Sequence, residues 1–224
     1  MEEKKNMFSD SEENYLKAIF HLERFSQEGV STNAIAEQMQ TKASSVTDML
    51  KKLSDKKLVN YVKYQGVTLT KEGKKTAAKI IRKHRLWEVF LVEKLDFNWD
   101  EVHEVAEQLE HIDSDKLVDR LDKHLNFPKF DPHGDPIPSK DGTFPIRDKV
   151  LISTLNAGDS GVCVGVKDTS TSFLKFLDKN GIALGRKISI VEKEDFDDSF
   201  KIKIGNETLM ISNQIASNLY LKTH

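Results

Sequence analysis

The chain has 224 residues, 38% hydrophobic and 31% charged, with a formal net charge of −2. That length is long for one domain and implies two or three with modest cores, while no apolar run approaches the roughly 20 residues of a membrane-spanning helix and no signal-peptide core follows Met1. The single cysteine, Cys163, excludes an internal disulfide and is expected as a buried structural thiol, so a cytoplasmic protein is expected.

Ser9 or Ser11 can cap a first helix, in which Tyr15, Leu16, Ile19, Phe20 and Leu22 repeat at helical spacing through about Phe25. Ser31-Thr32 caps a short helix over 33–39, with Ile35, Ala36 and Met39 inward. A polar turn, Gln40-Thr41-Lys42, leads into a third helix over 43–57, apolar at Val46, Met49, Leu50 and Leu53. Residues 58–70 form a β-ribbon with Gln65-Gly66 at its tip, because glycine permits the positive φ of tight hairpins. Helix, short helix, turn, helix and hairpin is the order of a winged helix-turn-helix. Net charge gives no argument for nucleic acid, but its distribution does: from Lys42 to Arg85, thirteen Lys and Arg residues stand against Asp48, Asp55 and Glu72. The outer face of the third helix would present Lys42, Ser44, Ser45, Thr47, Asp48, Lys51 and Lys52 to double-stranded DNA. Small hydroxyls can approach base edges there, while lysines and helix-terminal amides hold phosphate. Lys63 and Tyr64 of the wing are candidates for the backbone or minor groove. Asp48 repels phosphate but can accept from a cytosine amino group. Winged helices also serve as protein–protein modules, and the clustered lysines weigh against that.

Thr68 or Thr70 caps a long helix over 71–94, basic at first (Lys74, Lys75, Lys79) and apolar later (Ile80, Ile81, Leu86, Val89, Phe90, Leu91). Its His84 and Glu88, four apart, face one way. After Asp100, an expected N-cap, His103, Glu107, Glu110 and His111 follow at i, i+4, i+7 and i+8, one face of one helix. If the two helices pack face to face, up to six nitrogen and oxygen donors converge. Imidazole and carboxylate without thiolate suit Mn²⁺, Fe²⁺ or Zn²⁺. A lone His–Glu pair is usually a solvated polar face; four such residues on one helix and two on the next favour ligation. A further helix over 113–125 carries Leu117, Val118 and Leu121 at core spacing. Burying these stripes against a second copy is economical, and a twofold homodimer presents two reading helices to a palindromic site.

Residues 127–138 hold four of the five prolines and predict an ordered, extended connector. From Val150 short alternating strands are expected near 150–153, 161–166, 187–191, 199–204, 207–211 and 219–221, with one helix over 172–180, arguing a small barrel.

Ala36-Glu37, Ser45-Val46-Thr47, Leu69-Thr70-Lys71-Glu72-Gly73, Arg82-Lys83-His84-Arg85-Leu86-Trp87-Glu88, Val102-His103, Glu110-His111 and Asp131-Pro132-His133-Gly134 together resemble the diphtheria toxin repressor family of metal-dependent transcriptional regulators, which includes the manganese transport regulators. The phrases at 155–158, 173–177 and 181–185 resemble the SH3-like, FeoA-type domain appended to many members. The resemblance implies a mainly α protein with small β elements in three segments. These are a winged helix-turn-helix (1–72), a helical metal-binding and dimerisation domain (73–145) and an SH3-like β-barrel (146–224). It also implies a homodimer that binds operator DNA with Mn²⁺ or Fe²⁺ and represses metal uptake. The family's ligand positions fall on His84, Glu88, His103, Glu107, Glu110 and His111. Asn14 stands where iron sensors carry Met and manganese sensors Asp, offering a carbonyl oxygen without charge. Glu107 replaces the Cys of iron sensors, and hard oxygen favours Mn²⁺. Asp131 replaces a Cys of some manganese members, making Asp131, His133 and Glu88 second-site ligands; a rigid connector with a surface His is the alternative. Asp168 lies near the region from which the last domain can donate a further ligand.

The expected mechanism is electrostatic. Glu88, Glu107 and Glu110 repel one another without metal, and a divalent ion would tie their helices together and fix the spacing of two reading heads to half-sites about one DNA turn apart. Metal acts only through different affinity for the two arrangements. Two rivals come from other classes. A metallohydrolase lacks its His-Glu-x-x-His repeat, because Glu107 occupies the second His position. A winged-helix regulator of a non-metal ligand predicts an apolar pocket.

Overall fold

The computed structural model describes residues 8–24, 26, 29–62 and 65–223. Its contacts divide the chain into two compact units. The first comprises Met1–Trp87, Glu107–Leu121 and Pro138–Phe144; the second comprises Glu88–Ala106, Asp122–Ile137 and Pro145–His224.

In the first unit, Ser9 rather than Ser11 caps α1 (Asp10–Glu23). Its hydroxyl accepts the Glu12 amide at 3.3 Å and the Glu12 carboxylate accepts the Ser9 amide at 2.8 Å, a reciprocal capping box. Ser31 caps α2 (Thr32–Gln38), and α3 (Ala43–Asp55) follows after Gln40 turns the chain at φ +48°. Strands β1 (Val59–Val62) and β2 (Gly66–Leu69) pair antiparallel, and Val30 bridges Val67 beside them. Gly66 opens β2 instead of forming the tip. It has φ +94°, and a β-carbon there would lie 2.9 Å from the Val30 carbonyl oxygen, so both conformation and close approach require glycine. The fully buried Leu16, Ile19, Ile35, Val46, Leu50 and Leu53 join Val67 and Leu69 in one core, each such side chain contributing about 1.5–3 kcal/mol of burial.

Thr70, not Thr68, leads into α4 (Lys71–Leu95): its hydroxyl accepts the Gly73 amide at 3.0 Å. The next helix, α5 (Val102–Leu109), stops short of expectation. The Ile112 amide closes onto the Leu109 carbonyl at 3.2 Å, so Glu110 and His111 lie in a turn and not on the helix. Asp100 sits in the turn before α5 with its carboxylate 3.5 Å from Lys175. Ser114 accepts the Leu117 amide to open α6 (Asp115–His124), where Leu121 is buried but Leu117 is 37% exposed.

In the second unit β3 (Val150–Leu151), β4 (Ser160–Val166), β5 (Lys187–Lys193), β6 (Phe200–Ile204), β7 (Glu207–Ile211) and β8 (Leu219–Thr223) form an antiparallel sheet in the order β3-β8-β4-β5-β6-β7. Helices α7 (Thr171–Lys179) and α8 (Asn213–Ala216) accompany it. Alternation puts Phe200, Ile202 and Ile204 into one core with Ile152, Leu174, Leu177, Ile188 and Leu221. The connector is ordered: Phe130 bridges Pro136, and the Arg147 guanidinium lies 3.3 Å from the Phe130 ring centroid while donating to the Val164 carbonyl at 2.8 Å. Among the described residues no helix is long and apolar enough to cross a membrane.

Cys163 is buried on β4, and burial pushes its thiol up to about 11. A thiol-reactive dye at about pH 8 is therefore expected to leave it unlabelled until urea unfolds the sheet. Labelling of the native chain at the rate of a free cysteine peptide would show that β4 opens.

Candidate metal centres and DNA-reading surface

In the first unit the ligand-capable atoms of His84, Glu107 and Glu110 all lie within 4.8 Å of one another. His84 Nδ1 is 2.6 Å from Glu110 Oε2 and 3.7 Å from Glu107 Oε2. Lys17 of α1 donates to Glu107 at 2.6 Å and to both oxygens of Glu110 at 2.7 and 2.9 Å. The Glu110 side chain is fully buried. Burial alone would raise its carboxyl, but the His84 hydrogen bond and the Lys17 charge outweigh it and hold the group below the usual carboxylate value.

His111 lies beside the same carboxylate, with Nε2 3.9 Å from Glu110 Oε1, while its Nδ1 lies 2.7 Å from Glu13 Oε2. Lys83 stands 3.7 Å from the other oxygen of Glu13. The buried Asn14 Oδ1 accepts no hydrogen bond within the described residues. An orphaned buried carbonyl is costly, and on a helix that also carries Glu13 and Lys17 it is the kind of oxygen a hard divalent cation takes.

Sequence reasoning missed Glu13 and Lys17. They stand at i and i+4 on α1, on one face with Asn14, and a helical wheel of α1 carries that signal.

In the second unit Glu88, Asp131 and His133 are all buried, with ligand-capable atoms within 4.8 Å of one another. His133 Nδ1 is 3.8 Å from Glu88 Oε1, and the exposed His103 approaches the same oxygen at 3.5 Å. His133 is not the surface residue of the alternative reading. Its ring stacks on Trp99 with centroids 6.1 Å apart, and its Nε2 lies 2.8 Å from the Trp99 carbonyl. Asp131 Oδ1 accepts the amides of His133 and Asp135, each at 2.9 Å, which fixes the turn. The turn is tied to the sheet, because the His133 carbonyl accepts the Val166 amide at 3.0 Å. Asp168 is not brought into the group of Glu88, Asp131 and His133; its carboxylate accepts the Ser170 amide at 2.8 Å before α7.

On α3, Ser44, Ser45, Asp48, Lys51 and Lys52 are exposed, as is Lys42 at its N-cap. Thr47 is half-buried and donates back to the Ala43 carbonyl at 3.0 Å. Lys51 lies 3.3 Å from Asp48, and the buried Glu12 carboxylate takes Lys52 at 3.3 Å and Lys56 at 2.7 Å. Lys63 and Tyr64 fall outside the described residues.

A reading helix in the same unit as buried imidazole and carboxylate groups defines a DNA-binding regulator that answers to a metal ion. The chain belongs to the diphtheria toxin repressor family of metal-dependent transcriptional regulators. Residues 7–67 match "Iron dependent repressor, N-terminal DNA binding domain", residues 70–139 match "Iron dependent repressor, metal binding and dimerisation domain", and residues 150–223 match "FeoA domain".

The iron-dependent repressor IdeR of Mycobacterium tuberculosis is 35% identical over 135 residues, 59% of this chain and 57% of that protein. The regulator MntR of Oceanobacillus iheyensis is 34% identical over 125 residues, 56% of this chain and 84% of that one. A solved manganese-dependent transcriptional repressor in complex with manganese is 34% identical with TM-score 0.85, the match covering 95% of this chain and all (100%) of that one. A probable metal transport system membrane protein of Chlamydia trachomatis is 46% identical over 88 residues, but the match spans 39% of this chain and 19% of that one. The family consists of DNA-binding repressors and not enzymes, which removes the metallohydrolase. Its metal dependence removes the non-metal ligand.

Proposed function

We propose that the chain binds operator DNA as a homodimer in the cytoplasm when Mn²⁺ or Fe²⁺ is bound, and represses metal-uptake genes. The observation that carries the reading is the first centre: a fully buried Glu110 beside His84 and Glu107, with Lys17 of α1 reaching both glutamates. His84, Glu107, Glu110, His111 and the Asn14 carbonyl are its proposed ligands. Glu88, Asp131, His133 and His103 are those of a second centre, and Asp168 is left as a turn residue. All-nitrogen-and-oxygen donors support Mn²⁺ ahead of softer ions. A bound divalent cation supplies the positive charge that draws these carboxylates and imidazoles together.

The coupling runs through α1. Glu13 and Lys17 contact the residues of the first centre, while the adjacent Glu12 holds Lys52 and Lys56 of the reading helix region. Movement of α1 therefore moves α3. Lys42, Ser44, Ser45, Thr47, Asp48, Lys51 and Lys52, with Lys63 and Tyr64 of the wing, are the proposed DNA residues. Ile112 and Leu117, 39% and 37% exposed, are apolar side chains that a second copy would cover. Divisions near residues 72 and 145 fit these roles.

The test is fluorescence anisotropy on DNA from upstream of the chain's own gene, with free Mn²⁺, Fe²⁺ or Zn²⁺ held by buffers. Mn²⁺ or Fe²⁺ is expected to tighten binding by about 5–150-fold, the usual span of allosteric coupling. Affinity that is indifferent both to chelation and to added metal would sink the reading.

A further inference from the structure

Lys17 lies one turn beyond Glu13 and Asn14 on α1, and its side chain is only 14% exposed. An ammonium carries three N–H donors and no acceptor. Those of Lys17 meet one oxygen of Glu107 and both oxygens of Glu110 at 2.6–2.9 Å. We infer that Lys17 is the internal counter-ion of the metal-free first centre, holding the carboxylate lone pairs that a divalent cation takes, so that Lys17 must swing out before the cation can bind. The inference rests on Glu107 and Glu110 being metal ligands.

Space argues for exchange. Bonds of a divalent ion such as Zn²⁺ to carboxylate are about 2.0–2.2 Å, and the ammonium already holds three of the four carboxylate oxygens, so the two cations compete for the same atoms. Charge argues the same way. Two carboxylates carry two negative charges, which a divalent cation balances by itself. Keeping the ammonium would leave an excess positive charge against the fully buried Glu110, an expensive arrangement. Asn14 adds no charge that would retain Lys17 afterwards. In the metal-free state the same ammonium relieves the repulsion between Glu107 and Glu110, so the unit stays packed. Lys17 thereby sets the free-ion concentration at which the centre fills.

Two measurements test this on the full chain. In calorimetric Mn²⁺ titrations, Lys17→Met is expected to tighten the binding step that Glu110→Ala abolishes by about tenfold, roughly 1.4 kcal/mol, while the metal-free variant melts at a lower temperature. On the wild-type chain, amine labelling read by mass spectrometry is expected to rise at Lys17 on Mn²⁺ saturation. Unchanged or weaker Mn²⁺ binding by Lys17→Met would overturn the inference. So would Lys17 labelling that stays level or falls in wild-type protein shown by calorimetry to bind Mn²⁺. A wild-type chain giving no Mn²⁺ binding at all would instead remove the metal centre, and this inference with it.

Discussion

Glu110→Ala is expected to lower the stability of the metal-free chain by about 3–5 kcal/mol, the usual cost of deleting one partner of a buried ion pair, and to eliminate one metal-binding step. The reason is the position of this carboxylate. It is fully buried, and the Lys17 ammonium and the His84 ring are both held against it. Removing it leaves Lys17 with Glu107 alone and His84 without its 2.6 Å partner.

The pH dependence distinguishes this from a simple cavity. The folded Glu110 carboxyl is held below its ordinary value, so it adds stability that is complete above the unfolded carboxylate value of about 4.3. That stability is lost as pH falls from there through the folded value. Urea unfolding of wild type on acidification should show this extra loss, and the variant should lack it. Equal acid limbs in the two proteins, with metal stoichiometry unchanged, would show that Glu110 is neither paired nor a ligand.

Gly134→Ala is the second large effect, expected at about 3 kcal/mol from forced repacking combined with an unfavourable left-handed backbone. Gly134 has φ +85°, and a β-carbon there would lie 2.1 Å from the Val164 carbonyl oxygen. The chain would have to part the 131–134 turn from β4, breaking the bond between the His133 carbonyl and the Val166 amide. Asp131 and His133 immediately precede this glycine in the turn, whereas His84, Glu107 and Glu110 belong to the other unit. Elemental analysis after dialysis against Mn²⁺ is thus expected to fall from two ions per chain to one. A variant that keeps both ions and the wild-type melting temperature would mean that the turn is not clamped as described.

Much of this architecture is legible from local periodicity. Capping hydroxyls at Ser9 and Ser31, the apolar repeat of α1 and the alternation of Phe200, Ile202 and Ile204 predict helices and strands close to those observed. Helix α8 is too short to leave a period, and it escaped prediction.

The donor residues were legible by type and spacing; the turn that carries Glu110 and His111 was not. An i, i+4, i+7, i+8 pattern assumes an unbroken helix. The tightened turn after Leu109 sends Glu110 and His111 toward α1 and His84, while His103 stands at Glu88. Such a turn depends on what its side chains find to bond, and those partners lie 26 to 98 residues away in the chain. Lys17 escaped notice for the same reason. A lysine in the middle of a helix is ordinarily solvated, and only the fold brings it to two glutamates.

The pairing of Glu12 with Lys52 and Lys56, and of Asp48 with Lys51, bears on how the protein grips its operator. Affinity for a polyanion grows with the number of counterions expelled from the duplex, and a lysine already neutralised by its own protein expels fewer. Counting lysines along α3 therefore overstates the expected slope of binding against ionic strength. On the proposed reading, discrimination would fall instead to the short hydroxyl side chains Ser44 and Ser45, giving a regulator whose hold on DNA would tolerate swings in cellular salt.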